Sequence, residues 1–234
     1  KREFKYLSYI TNTEDDTFSL RTNLNWTKIR RGARTGESLT KVEDIDAYME
    51  KNKLTKRAIA SIVMGSTHDP LGIADPYRNN FKFLYRKIAG QELEWSSDVD
   101  EDIKKEMKQC ISYFMGIEDM KFPRQAIFED AEELQFYFFF DGSLQGVGVS
   151  TVVKNIFKDG RTITRLLKNK SKVTGTDCKT APRSELMACL LASRVYDILK
   201  YELKDFLDNY KGKVRFNLVG DSMIILHQIR QESY

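Results

Sequence analysis

The sequence predicts an α/β fold, α+β overall, in which a mixed sheet follows the order β-β-β-α-β-α after a small helical subdomain. Three observations predict it. "ELQFYFFFDGSLQGVGVSTVVKNIF" joins an aromatic strand to an alternating, β-branched one. The run from Ala181 to Tyr210 has helical spacing and leads into the apolar strand "VRFNLVGD". Residues 51–122 show helical spacing broken by proline and glycine.

Residues 1–50 are polar, with strand-like runs at "FKYLSYIT" and "TFSLRTN" and a hairpin at the intervening "EDD". "KIRRGARTGES" is a basic loop. In "LTKRAIASIVMGS", Ala58, Ile59, Ile62 and Val63 fall on one helical face. "HDPLGIADP" interrupts the pattern, and "YRNNFKFLYRKIAG" resumes it with Gly90 as its C-cap. "SSDVDEDIKKEMKQCISYFMG" places Ser and Asp before an amphipathic run, a helix start. Core packing is expected for Phe83, Leu84 and Trp95.

From residue 131 the elements follow in order. Strands are expected at Leu134 to Phe140, over "GVGVSTVVKNIF" and, after the Asp159-Gly160 turn, over "RTITRLLKNKSKVT". One long helix spans residues 181–210, with Pro182 in its first turn and Leu186, Leu190, Val195, Leu199, Leu203 and Phe206 toward one face. A strand ending on Asp221 and a helix from "SMIILHQIR" complete the pattern.

Composition narrows the function classes. No apolar stretch is long enough to span a bilayer, and the polar N-terminus is no signal peptide. Cys110, Cys178 and Cys189 are odd in number and widely spaced, so neither a disulfide framework nor a zinc cluster is predicted. An intracellular setting is expected: cytoplasm, virus-like particle or nucleus. Net charge is +4, but residues 154–183 hold 9 basic residues against 2 acidic ones. That excess suits a polyanion, and equally a solvated hairpin face.

Three carboxylates stand at element ends. Asp141 ends the first strand, Glu185 lies at the start of the long helix, and Asp221 ends the strand after it. Strands one and four, joined through the helix, form a crossover unit whose carboxyl ends lie together. Converging carboxylates repel unless a cation neutralises them. Oxygen ligands without His or Cys favour Mg²⁺ or Mn²⁺, and two such ions suit in-line phosphoryl displacement. Each acid also has a plain alternative: a turn aspartate, a helix-dipole partner, or an N-cap at Asp221-Ser222. His68 reads as a turn residue and His227 as a surface histidine.

"FFDGS", "PRSELMACLLASRV" and "LVGDSMIILHQI" resemble the first three motifs of RNase H-like domains. "TKRAIASIVMGSTHDPLGIADP", "LEWSSDV" and "KFPR" resemble the BEL/Pao class of LTR retrotransposon polyproteins. The resemblance runs from about Lys51 to Gln228. It implies the end of a polymerase palm at 1–50, a helical thumb and connection at 51–128, and an RNase H-like domain at 129–234. It implies hydrolysis of the RNA strand of an RNA–DNA hybrid, with Asp141, Glu185 and Asp221 as catalytic ligands of two Mg²⁺ or Mn²⁺ ions. Nucleic-acid contacts are expected from Ser143, Arg183, Ser222, Lys168, Lys170 and Lys172, and the rest of the polyprotein is the expected partner. The family pattern has a fourth acidic residue beyond the second helix. The sequence to Tyr234 has no counterpart, so the domain is expected to be C-terminally incomplete and its activity alone open. An inactive nucleic-acid-binding module and a domain used for protein contacts are the alternative classes. Asp141-Gly142-Ser143 reverses the order of a retroviral-type peptidase motif, which excludes that chemistry.

Overall fold

The computed structural model describes residues 3–27, 29–30, 33–65, 68–175 and 177–230. The chain divides into two compact units, Lys1–Arg124 and Gln125–Tyr234.

In the first unit, strands β1 (Glu3–Tyr6), β2 (Tyr9–Asn12) and β3 (Thr17–Leu20) form an antiparallel meander. The run "FKYLSYIT", expected as one strand, is two. Tyr6 pairs with Tyr9 across a turn in which Leu7 has φ +55°. The run carries no glycine, asparagine or proline to mark the residue held in left-handed backbone. Short strands β4 (Ile29–Arg30) and β5 (Ala33–Arg34) pair with each other. Four helices follow: α1 (Ile45–Lys51), α2 (Lys56–Gly65), α3 (Asp75–Ala89) and α4 (Glu101–Met115). Strand β6 (Phe122–Pro123) returns to pair with β3.

One core serves this unit. Tyr9, Leu20, Leu24 and Trp26 share it with Ile59, Ile62, Phe81, Ile88, Ile111 and Phe114. It therefore draws on residues either side of position 50. The proline-rich break before α3 is tied to the meander: the Tyr9 hydroxyl donates to Asp69 at 2.7 Å, and the Ala74 N–H donates to the other Asp69 oxygen at 2.7 Å. Leu84 is buried and Phe83 half-buried, but Trp95 is 48% exposed, against the expected core role.

The second unit is built on β7 (Glu133–Gly142), β8 (Gly146–Ile156) and β9 (Thr162–Val173). Next come α5 (Ala181–Glu202), α6 (Lys204–Asn209), β10 (Lys213–Val219) and α7 (Met223–Arg230). The sheet order is β10-β7-β8-β9, with β10 parallel to β7 and the other pairs antiparallel. The β-β-β-α-β-α order is the expected one.

The two-residue period of a strand sorts the five-aromatic run of β7. Leu134, Phe136, Phe138 and Phe140 are buried, and α5 packs against this strand. Tyr137 and Phe139 alternate with them and stack on each other at 5.9 Å, leaving Phe139 45% exposed.

Two expectations for the long helix are corrected. It breaks at Leu203, which has φ −96° and ψ 6°, before α6 resumes. Leu186 and Leu190 are 50% and 51% exposed, while the buried stripe is Ala188, Cys189, Leu191, Ala192, Val195 and Leu199. Leu190 and Val195 are five residues apart, about 140° around a 3.6-residue helix, so they cannot share a face. Small residues on the inner stripe let α5 approach the sheet closely. All three cysteines are free and buried. No helix among the described residues is long and apolar enough to cross a membrane.

Candidate metal centre

Parallel pairing fixes where the acids stand. β10 runs beside β7 from Lys213 opposite Glu133 to Val219 opposite Phe139, so both carboxyl ends emerge at one edge. Asp141 lies within the last turnout of β7, one residue before its end. Strand β10 stops at Val219, so Asp221 follows it by two residues rather than ending it. Glu185 is the fifth residue of α5, one position beyond the first-turn location expected for it.

Two glycines let these ends meet. A Cβ on Gly142 would lie 2.5 Å from the Ser184 carbonyl oxygen and 2.9 Å from the Glu185 nitrogen. Only glycine allows the end of β7 and the backbone of α5 to approach so closely. A Cβ on Gly220 would collide with two carbons of the Phe140 ring. The missing side chain leaves room for the ring that anchors β7 just before Asp141.

Carboxylate oxygens of Asp141, Glu185 and Asp221 all lie within 4.8 Å of one another. Asp141 and Asp221 are exposed, and Glu185 is half-buried. Asp141 accepts a hydrogen bond from the Gly142 N–H at 2.8 Å. Glu185 Oε2 is buried and has no hydrogen-bond partner among the described residues. Burial pushes the Glu185 carboxyl above its ordinary range, and the nearby Asp141 and then Asp221 push it further. Ser222, not Asp221, caps α7: its carbonyl accepts from the Leu226 N–H at 3.1 Å, and its hydroxyl accepts from the Ile225 N–H at 3.5 Å. Asp221 is thereby left to the cluster.

These residues fit a hard divalent cation. The donors are all carboxylate oxygens, and one of the three residues, Glu185, carries a buried oxygen without a proton donor among the described residues. Their mutual repulsion is what a cation relieves.

The six residues expected at nucleic acid are placed differently. The Ser143 hydroxyl donates to the Gly146 carbonyl at 3.1 Å and accepts from the Gly146 N–H at 3.2 Å, inside the β7–β8 turn. Arg183 is paired with Asp177 at 2.6 Å. Lys168 bonds both carboxylate oxygens of Glu202 at 3.2 Å. Lys170 and Lys172 are exposed and make no ion pair among the described residues. They pair in register with Val149 and Val147, which pair in turn with Phe140 and Gly142. That puts the two lysines at the acid-bearing end of the sheet. Sequence reasoning gave Asp141 a turn alternative and passed over the clearance that Gly142 and Gly220 provide. The signal was a glycine next to each predicted strand-end aspartate.

An antiparallel three-strand meander, a crossover helix and a fourth strand parallel to the first, with acids at the parallel carboxyl ends, define an RNase H-like α/β domain. The family model described as Pao retrotransposon-like RNaseH-like domain matches residues 55–212, and the chain belongs to that family, within the BEL/Pao retrotransposons. The match takes in Asp141 and Glu185 and stops before Asp221. No curated protein matches the chain. RNase H-like domains are, in general, nucleic-acid-binding hydrolases of the nuclease type that use divalent metal ions.

Proposed function

We propose that residues 129–234 act as the RNase H domain of a retroelement reverse transcriptase and cut the RNA strand of an RNA–DNA hybrid. Residues 1–50 are then the end of the polymerase palm and 51–128 the thumb and connection. The observation that carries this reading is the meeting of Asp141, Glu185 and Asp221 within 4.8 Å.

These three residues would hold two Mg²⁺ or Mn²⁺ ions, which when bound supply an activated water and neutralise the leaving oxygen. The chain's own residues set the geometry. Phe140 and Gly142 fix the height of Asp141 against α5. Half-buried Glu185 brings one carboxylate oxygen to the cluster, while exposed Asp141 and Asp221 leave it open to a large substrate. Lys172 lies two strands from Gly142, roughly 10 Å at ordinary strand spacing, where it meets a phosphate of the bound duplex. Ser143 shapes the turn beside Asp141, and Arg183 and Ser222 flank the other two acids.

The test is cleavage of an end-labelled hybrid with Mg²⁺, wild type against Asp141→Asn. Cleavage is expected to fall at least about 100-fold, with hybrid binding retained. A second readout does not depend on turnover: Mg²⁺ or Mn²⁺ raises the melting temperature of the wild type but not of Asp141→Asn. Hybrid binding with no difference between the two proteins in either measurement would assign a non-catalytic binding module instead.

A further inference from the structure

The first unit holds a second site of opposite charge. A cavity of about 580 Å³ opens at the N-terminal end of α2. Lys51, Lys53 and Arg57 line it, and no carboxylate does. Lys51 has a distant partner, Glu37 at 3.7 Å, with both side chains exposed. Lys53 and Arg57 are exposed and make no ion pair among the described residues. The N-terminal end of α2 adds its positive dipole end, with no acidic residue in the first turn to offset it.

Both tryptophans of the chain line this cavity. Trp95 is held in place from two sides. Its carbonyl accepts the Arg57 N–H at 3.2 Å, and Lys56 Nζ stands 5.5 Å from its ring centroid. Lys56 is itself fixed by the carbonyls of Ala89 and Gln91, at 3.2 and 3.3 Å. The protein thus anchors the Trp95 main chain and sets a lysine by its ring, which it leaves nearly half exposed. Trp26 is only 5% exposed, yet its buried Nε1–H has no acceptor among the described residues. An orphaned buried donor costs free energy unless something supplies an acceptor.

We propose that this cavity binds a nucleotide, its base stacked on Trp95 and its phosphate between Lys53 and Arg57. A fixed aromatic face beside unpaired cations is what stacking recognition of an unpaired base requires. The site lies in a different unit from the three carboxylates and uses none of them.

Because both tryptophans wall the cavity, intrinsic fluorescence reports its occupancy directly. The titration uses Asp141→Asn protein in EDTA, so that nuclease chemistry plays no part. The ligands are AMP, inorganic phosphate, a single-stranded decadeoxynucleotide and the same decamer made abasic. Quenching by the decamer, weaker for the abasic strand and absent for phosphate, is expected. The K53Q/R57Q double variant should bind at least tenfold more weakly. Its log K against log salt slope should be shallower by about 0.7, the share of one single-strand phosphate. Both side chains are exposed, so an unchanged circular dichroism melt serves as the folding control. Quenching by AMP as well assigns a free-nucleotide site; quenching by the strand alone assigns single-stranded nucleic acid. No quenching by either, or quenching untouched by K53Q/R57Q, overturns the proposal.

Discussion

In the sheet of the second unit, acids stand where strands stop; in the helical first unit, bases gather where α2 begins. Strand ends are stiff, and two parallel strands deliver their last residues to one edge. Those ends bring Asp141 and Asp221 together, α5 adds Glu185, and the result is three carboxylates within 4.8 Å, a group that repels itself. The start of α2 follows a loop, and the cations there spread around a cavity of about 580 Å³ without touching one another's partners. A rigid sheet can hold like charges close; a helix start can only surround a ligand with them. Elsewhere the first unit compensates its charge in exposed pairs such as Lys87–Glu106 at 2.8 Å and Lys108–Asp46 at 2.6 Å.

The largest effect should come from loosening the post behind the acids. Phe138 is fully buried and meets Tyr196 edge to face at 5.8 Å. Phe138→Ala should cost about 4 kcal/mol in urea unfolding. Phe81, equally buried and edge to face with Phe114 at 5.6 Å, offers the matched change in the first unit. Phe81→Ala should cost a similar amount, yet only Phe138→Ala should also weaken Mn²⁺ binding, read by isothermal titration in conditions where both proteins stay folded. Equal Mn²⁺ affinity in the two variants would break the link between the aromatic strand and the acids.

Next in size is Gly142→Ala. The added methyl meets backbone atoms, which cannot rotate away as a side-chain tip can. A loss of about 2 kcal/mol is expected, within the usual range for overpacking. The shift of α5 away from β7 should also abolish the Mg²⁺-induced rise in melting temperature. Gly90→Ala, with open space around its Cβ, is the control and should change neither.

The second unit was the more legible half. Alternation over β7 and β8, the Asp159-Gly160 turn and the apolar "VRFNLV" give element types directly, because each depends on local periodicity. The approach of Asp141, Glu185 and Asp221 needed one further rule, the crossover that sets parallel carboxyl ends together. What was hidden depended on tertiary choice. Leu186 and Leu190 look like core, but the sheet takes the small-residue stripe of α5 instead. Leu7 sits in left-handed backbone inside a run with no glycine, asparagine or proline to mark a turn. Trp95 looked like core by residue type, and nothing local in sequence says that Lys56 and the Arg57 amide will hold it at the surface. Gly142 and Gly220 were visible as residues, but their role is a clearance, which only the packed chain defines.

A pH series sharpens the contrast between a strained acid cluster and the compensated pairs. The folded protein holds the Glu185 proton more tightly than the unfolded chain does, because of burial and then the two aspartates. The stability this gives is present below the ordinary carboxylate range. It is lost as pH rises through the raised value. In EDTA, Glu185→Gln should therefore melt higher than wild type above that range, and the gap should close in acid. With Mg²⁺ added at neutral pH the order should reverse, since the wild type then gains a bound ion. An unchanged gap across pH would mean that the three acids do not feel one another.

The smallest effect separates lysines that look alike in sequence. Lys168, Lys170 and Lys172 alternate along β9 and so project to one side of the sheet, apart from the local irregularity between Thr151 and Val152 in its partner strand. Lys168 is already committed: it bonds both oxygens of Glu202 and is only 18% exposed. Lys170 and Lys172 have no such partner among the described residues. Counterion release depends on charge available to phosphate, so the three should not contribute equally. K170Q/K172Q should flatten the salt dependence of hybrid binding by about 1.8, at about 0.9 per duplex phosphate. K168Q should change it by less than either lysine's share, because the Lys168 charge is already neutralised by Glu202. Binding measured by fluorescence anisotropy over 50–200 mM salt, a span over which such slopes are resolved, decides the point. Equal slopes for the wild type and both variants would place the duplex elsewhere on this unit and confine the β9 charge to a solvated face.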